Sequence, residues 1–174
     1  MGVASITPTG QPRSAATALQ RVQFGREQRG IECLTLIKRS ERFGFELAQP
    51  AHAFASHAAW DVTRRRPGVL AHRTRFVEIG PVTALSATAA ATLLPFPDLR
   101  MGWGLDAAWS ARAAERDWPI GVVDVTPVRH LRPVASSYPR DAAIAEAEAF
   151  LDGRAYVTRD EAAETIAEYR ELPA

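Results

Sequence analysis

The stretch RMGWGLDAAWSARAAERDWPIGVVDVTPVRHLRP, residues 100–133, predicts a turn, a helix, a buried strand and a histidine in succession. Gly102 and Gly104 suit a sharp turn because they have no Cβ. Apolar residues then recur from Leu105 at i, i+3, i+4 and i+8, which is the spacing of one helix face. The run PIGVVDV has the length and β-branched content of a buried strand. This stretch therefore indicates an α/β protein.

The rest of the chain predicts the same alternation of helices and short strands. Residues 1–30 lack apolar periodicity and predict a disordered or atypical leader, followed by one domain over 31–174. Three strands are predicted, near residues 45–50, 75–79 and 120–125. Helices are predicted in the run that Gly44 ends, in the alanine-rich run that ends at Leu94, and at about 141–152 and 159–170. An independent α/β domain more often has about five or six strands, so the chain resembles half of a fold.

Composition bounds the class of protein. The chain has 174 residues, of which 47% are hydrophobic and 24% charged, and it has no apolar run near the roughly 18 residues of a membrane span. We therefore expect a soluble globular protein, and the absence of a signal-like N-terminus favours the cytoplasm. The net charge of +1 favours no nucleic-acid partner. The arginine-rich run TRRRPGVLAHRTR is open to two interpretations, a phosphate site and a solvated loop.

Asp106 has two interpretations that its position alone leaves open. An acidic residue at the start of a helix stabilises that helix, because the positive end of the helix dipole favours an anion. The same field is expected to lower the pKa of Asp106. A single ionised carboxylate beside a turn of glycines is also suited to act as a general base. The residues by themselves favour the helix-start role.

Three segments together resemble a known family. The stretch quoted above, with ERFGFELAQPAH and RFVEIGPVTA, resembles the C-terminal, acceptor-side half of bacterial family-2-type glycosyltransferases over about residues 41–154. The resemblance implies a partial GT-A-like sandwich, the nucleotide-diphospho-sugar transferase fold, with C-terminal helices. It also implies transfer of a glycosyl group from a nucleotide sugar to an acceptor hydroxyl, with inversion. Asp106 matches the catalytic base, although the family's usual pair of acidic residues is Leu105-Asp106 here.

The resemblance also implies roles for three further residues. His130 matches a histidine that helps to hold Mn²⁺ or Mg²⁺, and Glu78 and Gly80 match a loop that lies near the sugar donor and acceptor. The turn before Asp106 adds substrate-binding candidates by its own chemistry, because Gly102 and Gly104 let the backbone come close to a ligand and Trp103 offers a flat face to a sugar or base. Each has an ordinary structural alternative, such as a strand-end turn, a partly buried tryptophan or a hydrogen-bonded histidine.

One part of the family pattern is missing. Members carry an Asp-x-Asp cluster in a preceding nucleotide-binding half, and no Asp-x-Asp occurs in these 174 residues. Truncation, a frameshift or a mis-set start would each explain this. Two functions therefore stay open, a glycosyltransferase that is shortened or inactive and a non-catalytic glycan- or protein-binding remnant. Half a fold also predicts a homo-oligomer formed through an exposed sheet edge, at strand 75–79 or strand 120–125.

Overall fold

The computed structural model describes residues 18–19, 28–80, 82–130 and 139–173. Within these ranges the chain forms strands and helices in mixed order. The strands are β1 (Ala18–Leu19), β2 (Leu47–His52), β3 (Ala71–Thr74), β4 (Ala84–Leu85), β5 (Ile120–Val128) and β6 (Thr165–Tyr169). The helices are α1 (Gln28–Arg42), α2 (Ala87–Leu93), α3 (Leu105–Glu115), α4 (Arg140–Leu151) and α5 (Arg159–Ala162), with a 3-10 turn at Asp61–Thr63.

The strands form one mostly antiparallel sheet in the order β1-β4-β2-β5-β3-β6. Among the described strands, the one parallel pair is β2 with β5, where Leu47 lies opposite Ile120 and Gln49 opposite Val122. The α/β class is thus confirmed, while nothing in this topology is specific to GT-A. Because the carboxyl ends of parallel strands lie at the same sheet edge, the residues that follow β2 and β5 come together.

Both faces of the central strands are buried, which explains the apolar run in the first half of β5. Every residue of β2 is buried, as are the first five residues of β5. One face packs against α1 through a cluster that includes Leu36, Phe43 and Val123. The other packs against α2 and α3 through a cluster that includes Trp109 and Leu47.

The predicted strand 75–79 is wrong, because the paired segment is β3 at Ala71–Thr74. Residues 75–79 leave the sheet, and side chains replace the missing ladder bonds. The Val77 amide donates to Ser110 Oγ at 3.5 Å, and the Glu78 amide donates to Gln49 Oε1. A β-prone segment is thus fixed by acceptors that lie far away in sequence.

The predicted helix at 159–170 is also wrong. The capping box of Thr158 and Glu161 forms, but α5 spans only Arg159–Ala162. The chain then forms β6, in which half-buried and exposed residues alternate. Pairing with β3 stabilises this segment as a strand, although its sequence predicts a helix. By contrast, α4 at Arg140–Leu151 lies within one residue of the predicted 141–152 at each end.

The predicted position of the sheet edge changes as well. Segment 75–79 is not in the sheet, and β5 is a central strand that pairs with β2 and β3. Most of the predicted leader lies outside the described residues. Within it, Ala18–Leu19 pairs with β4, and α1 begins at Gln28.

The arginine-rich run is divided among several contacts. Arg66 pairs with Glu168 at 2.9 Å, Arg64 with Asp61 at 3.0 Å, and Arg75 with Glu164. These ion pairs use acidic residues from the 3-10 turn, β6 and the segment before β6.

His72 belongs to the same run and is fully buried. Its Nδ1 lies 2.7 Å from Asp124 Oδ2, and its Nε2 lies 2.7 Å from the carbonyl oxygen of Val62. Asp124 is also fully buried and accepts a second hydrogen bond from the Arg66 amide at 2.7 Å. This pair joins β3 to β5 and to the 3-10 turn, so Asp124 has a structural role.

Candidate active site

The parallel strands β2 and β5 bring two histidines together at one edge of the sheet. His52 is the last residue of β2, and His130 follows β5 by two residues. Their rings lie 6.3 Å apart between centroids and are inclined by 21°. His52 is fully buried, whereas His130 is half-buried. Burial, and secondarily the neighbouring His52, lowers the pKa of His130 below 6.5, so its ring is neutral near pH 7.

Glu78 lies against this histidine pair. Its Oε2 is 3.0 Å from His52 Nε2, and its side chain keeps 16% of its surface exposed. The Gln49 side chain accepts a hydrogen bond from the Glu78 amide, which fixes the backbone beneath the carboxylate. Glu78 therefore has one side held by β2 and the other open to solvent.

Ser56 connects the two histidine-bearing segments. Its Oγ accepts from the His130 amide at 2.7 Å, donates to the His57 carbonyl at 3.0 Å, and lies 3.4 Å from His52 Nδ1. Ser56, His52 and Glu78 are in contact in the spatial order of a catalytic triad, which is nucleophile, base and acid. The hydroxyl is buried, however, and its hydrogen and one lone pair are engaged by backbone groups. Ser56 is thus a structural link between loops.

Asp106 approaches Glu78 from the start of α3. The N-cap of α3 is Gly104, with φ of 83°, so Asp106 is the second residue inside the helix. Its Oδ1 accepts from the Ala107 amide at 2.9 Å. Burial raises the pKa of Asp106 from 3.8 to about 6; the Ala107 hydrogen bond opposes this rise, and the charge of Glu78 adds to it. The expected lowering of this pKa by the helix dipole is wrong, because desolvation is the larger effect.

The glycine turn before α3 is held by an acidic residue from α4. Both Gly102 and Gly104 have positive φ, at 71° and 83°, which glycine adopts without strain. Glu146 accepts hydrogen bonds from three successive backbone amides, those of Arg100, Met101 and Gly102, at 2.7, 2.8 and 3.3 Å. These bonds lower the pKa of Glu146. The turn that precedes Asp106 is therefore fixed from outside by a charged group.

The sequence-predicted residues are thus placed close to one another. Glu78 lies near enough to Asp106 and to His130 for its charge to raise the pKa of each. Gly80 is exposed, and a Cβ built on it would meet nothing within 4 Å, so the backbone is open to a ligand there. Trp103 is half-buried within the glycine turn. We call His52, Glu78, Asp106 and His130 the acid–base cluster.

Sequence reasoning missed His52, Ser56 and Glu146. For His52 a signal existed, because predicted strands 45–50 and 120–125 are each followed within a few residues by a histidine. Had the two strands been paired in parallel, the histidines would have met. For Glu146 no signal existed, since it is one of several acidic residues in an alanine-rich helix.

In the described ranges, no three His, Cys, Asp or Glu side chains are grouped closely enough to hold a metal ion. The expectation that His130 helps to bind Mn²⁺ or Mg²⁺ stays a prediction, and no step below depends on a metal.

Comparisons with protein-family models, with curated proteins and with solved structures find no match to this chain. Among the described helices, none has the length and apolar character needed to cross a membrane. The acid–base cluster therefore has to be interpreted from its own chemistry.

Proposed function

We propose that the acid–base cluster catalyses transfer of a glycosyl group from a nucleotide sugar to an acceptor hydroxyl, with Asp106 as the general base. The observation that supports this most is the pKa of Asp106, raised to about 6 by burial beside Glu78. An ordinary exposed aspartate is a weak base. A carboxylate with a pKa near 6 is still mostly ionised at pH 7 and accepts a proton more strongly.

The proposed step uses the chain's own residues as follows. Asp106 takes the proton of the acceptor hydroxyl while that oxygen forms a bond to the anomeric carbon. The bond from that carbon to the nucleoside diphosphate breaks on the opposite side, so the configuration inverts. Glu78 keeps the proton affinity of Asp106 high and offers its open side to sugar hydroxyls. The open backbone at Gly80 gives the substrate room beside Glu78.

A panel assay tests the proposal. Purified chain is incubated with UDP-, GDP- and TDP-sugars and hydroxyl acceptors, with Mn²⁺, with Mg²⁺ and with EDTA, and both the released nucleoside diphosphate and the glycosylated product are measured. Asp106→Asn should lower kcat by about 10²- to 10⁴-fold, the usual contribution of a general base. Asp141→Asn is the matched control, because Asp141 is the second residue of α4 and is exposed.

A pH profile tests the role of Glu78. Because the Glu78 charge raises the pKa of Asp106, Glu78→Gln should move the acidic limb of the kcat profile to lower pH. An unchanged limb would contradict the electrostatic link between the two carboxylates. Full activity in Asp106→Asn would exclude the proposed base. Binding of a glycan with no turnover of any donor would instead support the non-catalytic binding module.

A further inference from the structure

The strand β6 forms one border of the sheet. It pairs with β3 on one side, and no described strand pairs with its other side. A bare strand edge offers a row of N–H and C=O groups that can pair with another strand. Protein surfaces usually protect such an edge with lysine, proline or a covering segment.

The side chains of β6 give this edge little protection. The strand reads TIAEY and contains neither lysine nor proline. Ile166 is 44% exposed at its middle, and Leu172 is 43% exposed just beyond its end. Glu168 is the one charged residue within the strand, and it pairs with Arg170 at 2.9 Å and with Arg66 at 2.9 Å.

We propose that β6 pairs antiparallel with β6 of a second copy, about a two-fold axis at Ala167, and joins the two sheets into one. In this register Thr165 lies opposite Tyr169 of the second copy, and Ile166 lies opposite its Glu168. The methyl group of Ala167 is the only side chain that faces itself. Just outside the strand, Glu164 lies opposite Arg170 of the second copy, and the symmetry repeats this opposite-charge pair.

The charges select this register over its neighbours. Residues that lie opposite each other in an antiparallel pair point to the same face of the sheet. The two-fold axis must therefore pass through a residue and not between two residues, so the neighbouring registers have their axis at Ile166 or at Glu168. An axis at Ile166 would place Glu164 opposite Glu168 of the second copy. An axis at Glu168 would place that residue opposite itself. Like charges directly opposite each other destabilise a strand pair, which leaves the Ala167 axis as the favourable arrangement of the three.

Light scattering on the full chain tests the interface over a dilution series from high to sub-micromolar concentration. The expected mass at high concentration is about twice the 19.0 kDa of one chain. Ile166→Glu places a carboxylate opposite Glu168 of the second copy and should shift the mass to that of one chain. Ile144→Glu is the matched control, because Ile144 is 37% exposed on α4, and it should keep the doubled mass.

A charge exchange tests the register itself. Glu164→Arg and Arg170→Glu should each give the single-chain mass, and the two combined should restore the doubled mass. Circular dichroism of each variant verifies that the monomeric forms are folded. A single-chain mass for the unmodified protein at every concentration would overturn the proposal. A double variant that stays monomeric, or equal dissociation by Ile144→Glu and Ile166→Glu, would overturn it as well.

Discussion

Asp106→Asn should make the protein more stable at neutral pH. In the folded chain, burial and the Glu78 charge raise the pKa of Asp106 from 3.8 to about 6. One pKa unit corresponds to about 1.4 kcal/mol, so the ionised carboxylate lowers the free energy of unfolding by about 3 kcal/mol above pH 7. Because Asp106 is only half-buried and water screens its open side, we expect about 2 to 3 kcal/mol. Asparagine keeps the shape of the side chain and an oxygen for the Ala107 amide.

The sign depends on pH. Between pH 3.8 and about 6 the folded chain binds more protons at Asp106 than the unfolded chain does. The contribution of this group to stability therefore falls as pH rises through that window. Asp106→Asn removes this pH-dependent loss of stability, because asparagine does not ionise. Its gain over the unmodified protein should be about a fifth of the full value at pH 4 and reach the full value by pH 8.

Urea unfolding at pH 4 and pH 8 measures this gain through the midpoint and slope. Asp141→Asn controls for loss of an acidic residue at the second position of a helix, and it should cost about 0.3 to 1 kcal/mol through the helix dipole. A loss of stability in Asp106→Asn at pH 8 would show that the ionised carboxylate stabilises the fold, contrary to the raised pKa. A gain that is equal at pH 4 and pH 8 would also refute the reasoning, because it would not arise from ionisation.

Three further substitutions test the scaffold around the cluster. Gly121→Ala should lower the free energy of unfolding by about 1 to 3 kcal/mol, because the added Cβ would meet the Phe45 ring and come within 2.6 Å of a backbone oxygen. Asp124→Asn should lower the free energy of unfolding by about 1 to 3 kcal/mol, since it weakens the buried hydrogen bonds of Asp124 with His72 Nδ1 and with the Arg66 amide; urea unfolding measures both losses. Glu146→Gln should speed hydrogen exchange at the amides of residues 100–102, because it replaces a charged acceptor with a neutral one.

Matched variants set the limits of these three predictions. Gly80→Ala adds a methyl group in open space and should leave stability unchanged while it lowers transfer activity. Equal losses from Gly80→Ala and Gly121→Ala would contradict the packing argument. Glu148→Gln, an exposed change on the same helix, should not alter exchange at residues 100–102. In the unmodified protein the Glu146 contribution is present above pH 4.5 and is lost as pH falls through its lowered pKa.

The centre of the sheet could be predicted from sequence because burial on both faces leaves a local pattern. The run PIGVVDV predicts a buried strand near 120–125, and the structure has β5 there. The strand predicted near 45–50 corresponds to β2. The sheet border could not be predicted in the same way. Segment 75–79 has β-prone residues, but its amides bond to Ser110 and Gln49, and no property of the segment itself indicates those partners.

The end of the chain illustrates the same limit from the opposite direction. The capping box of Thr158 and Glu161 correctly marks a helix start. A helix start does not set the length of the helix, however. Residues 165–169 alternate between half-buried and exposed only once they pair with β3, and their sequence TIAEY shows no such alternation by itself. Tertiary pairing with β3 therefore ends the helix that the capping box begins.

Asp106 shows why position and environment can predict opposite signs. Its place in the first turn of α3 is visible in the sequence, and the helix dipole there favours the charged form by about 0.3 to 1 kcal/mol. The surrounding burial is not visible in the sequence, and it acts against the charged form more strongly. If Asp106 mainly stabilised the helix, removal of its charge would lower stability. If it is a buried base, the same change raises stability and lowers transfer, so the sign at pH 8 separates the two roles.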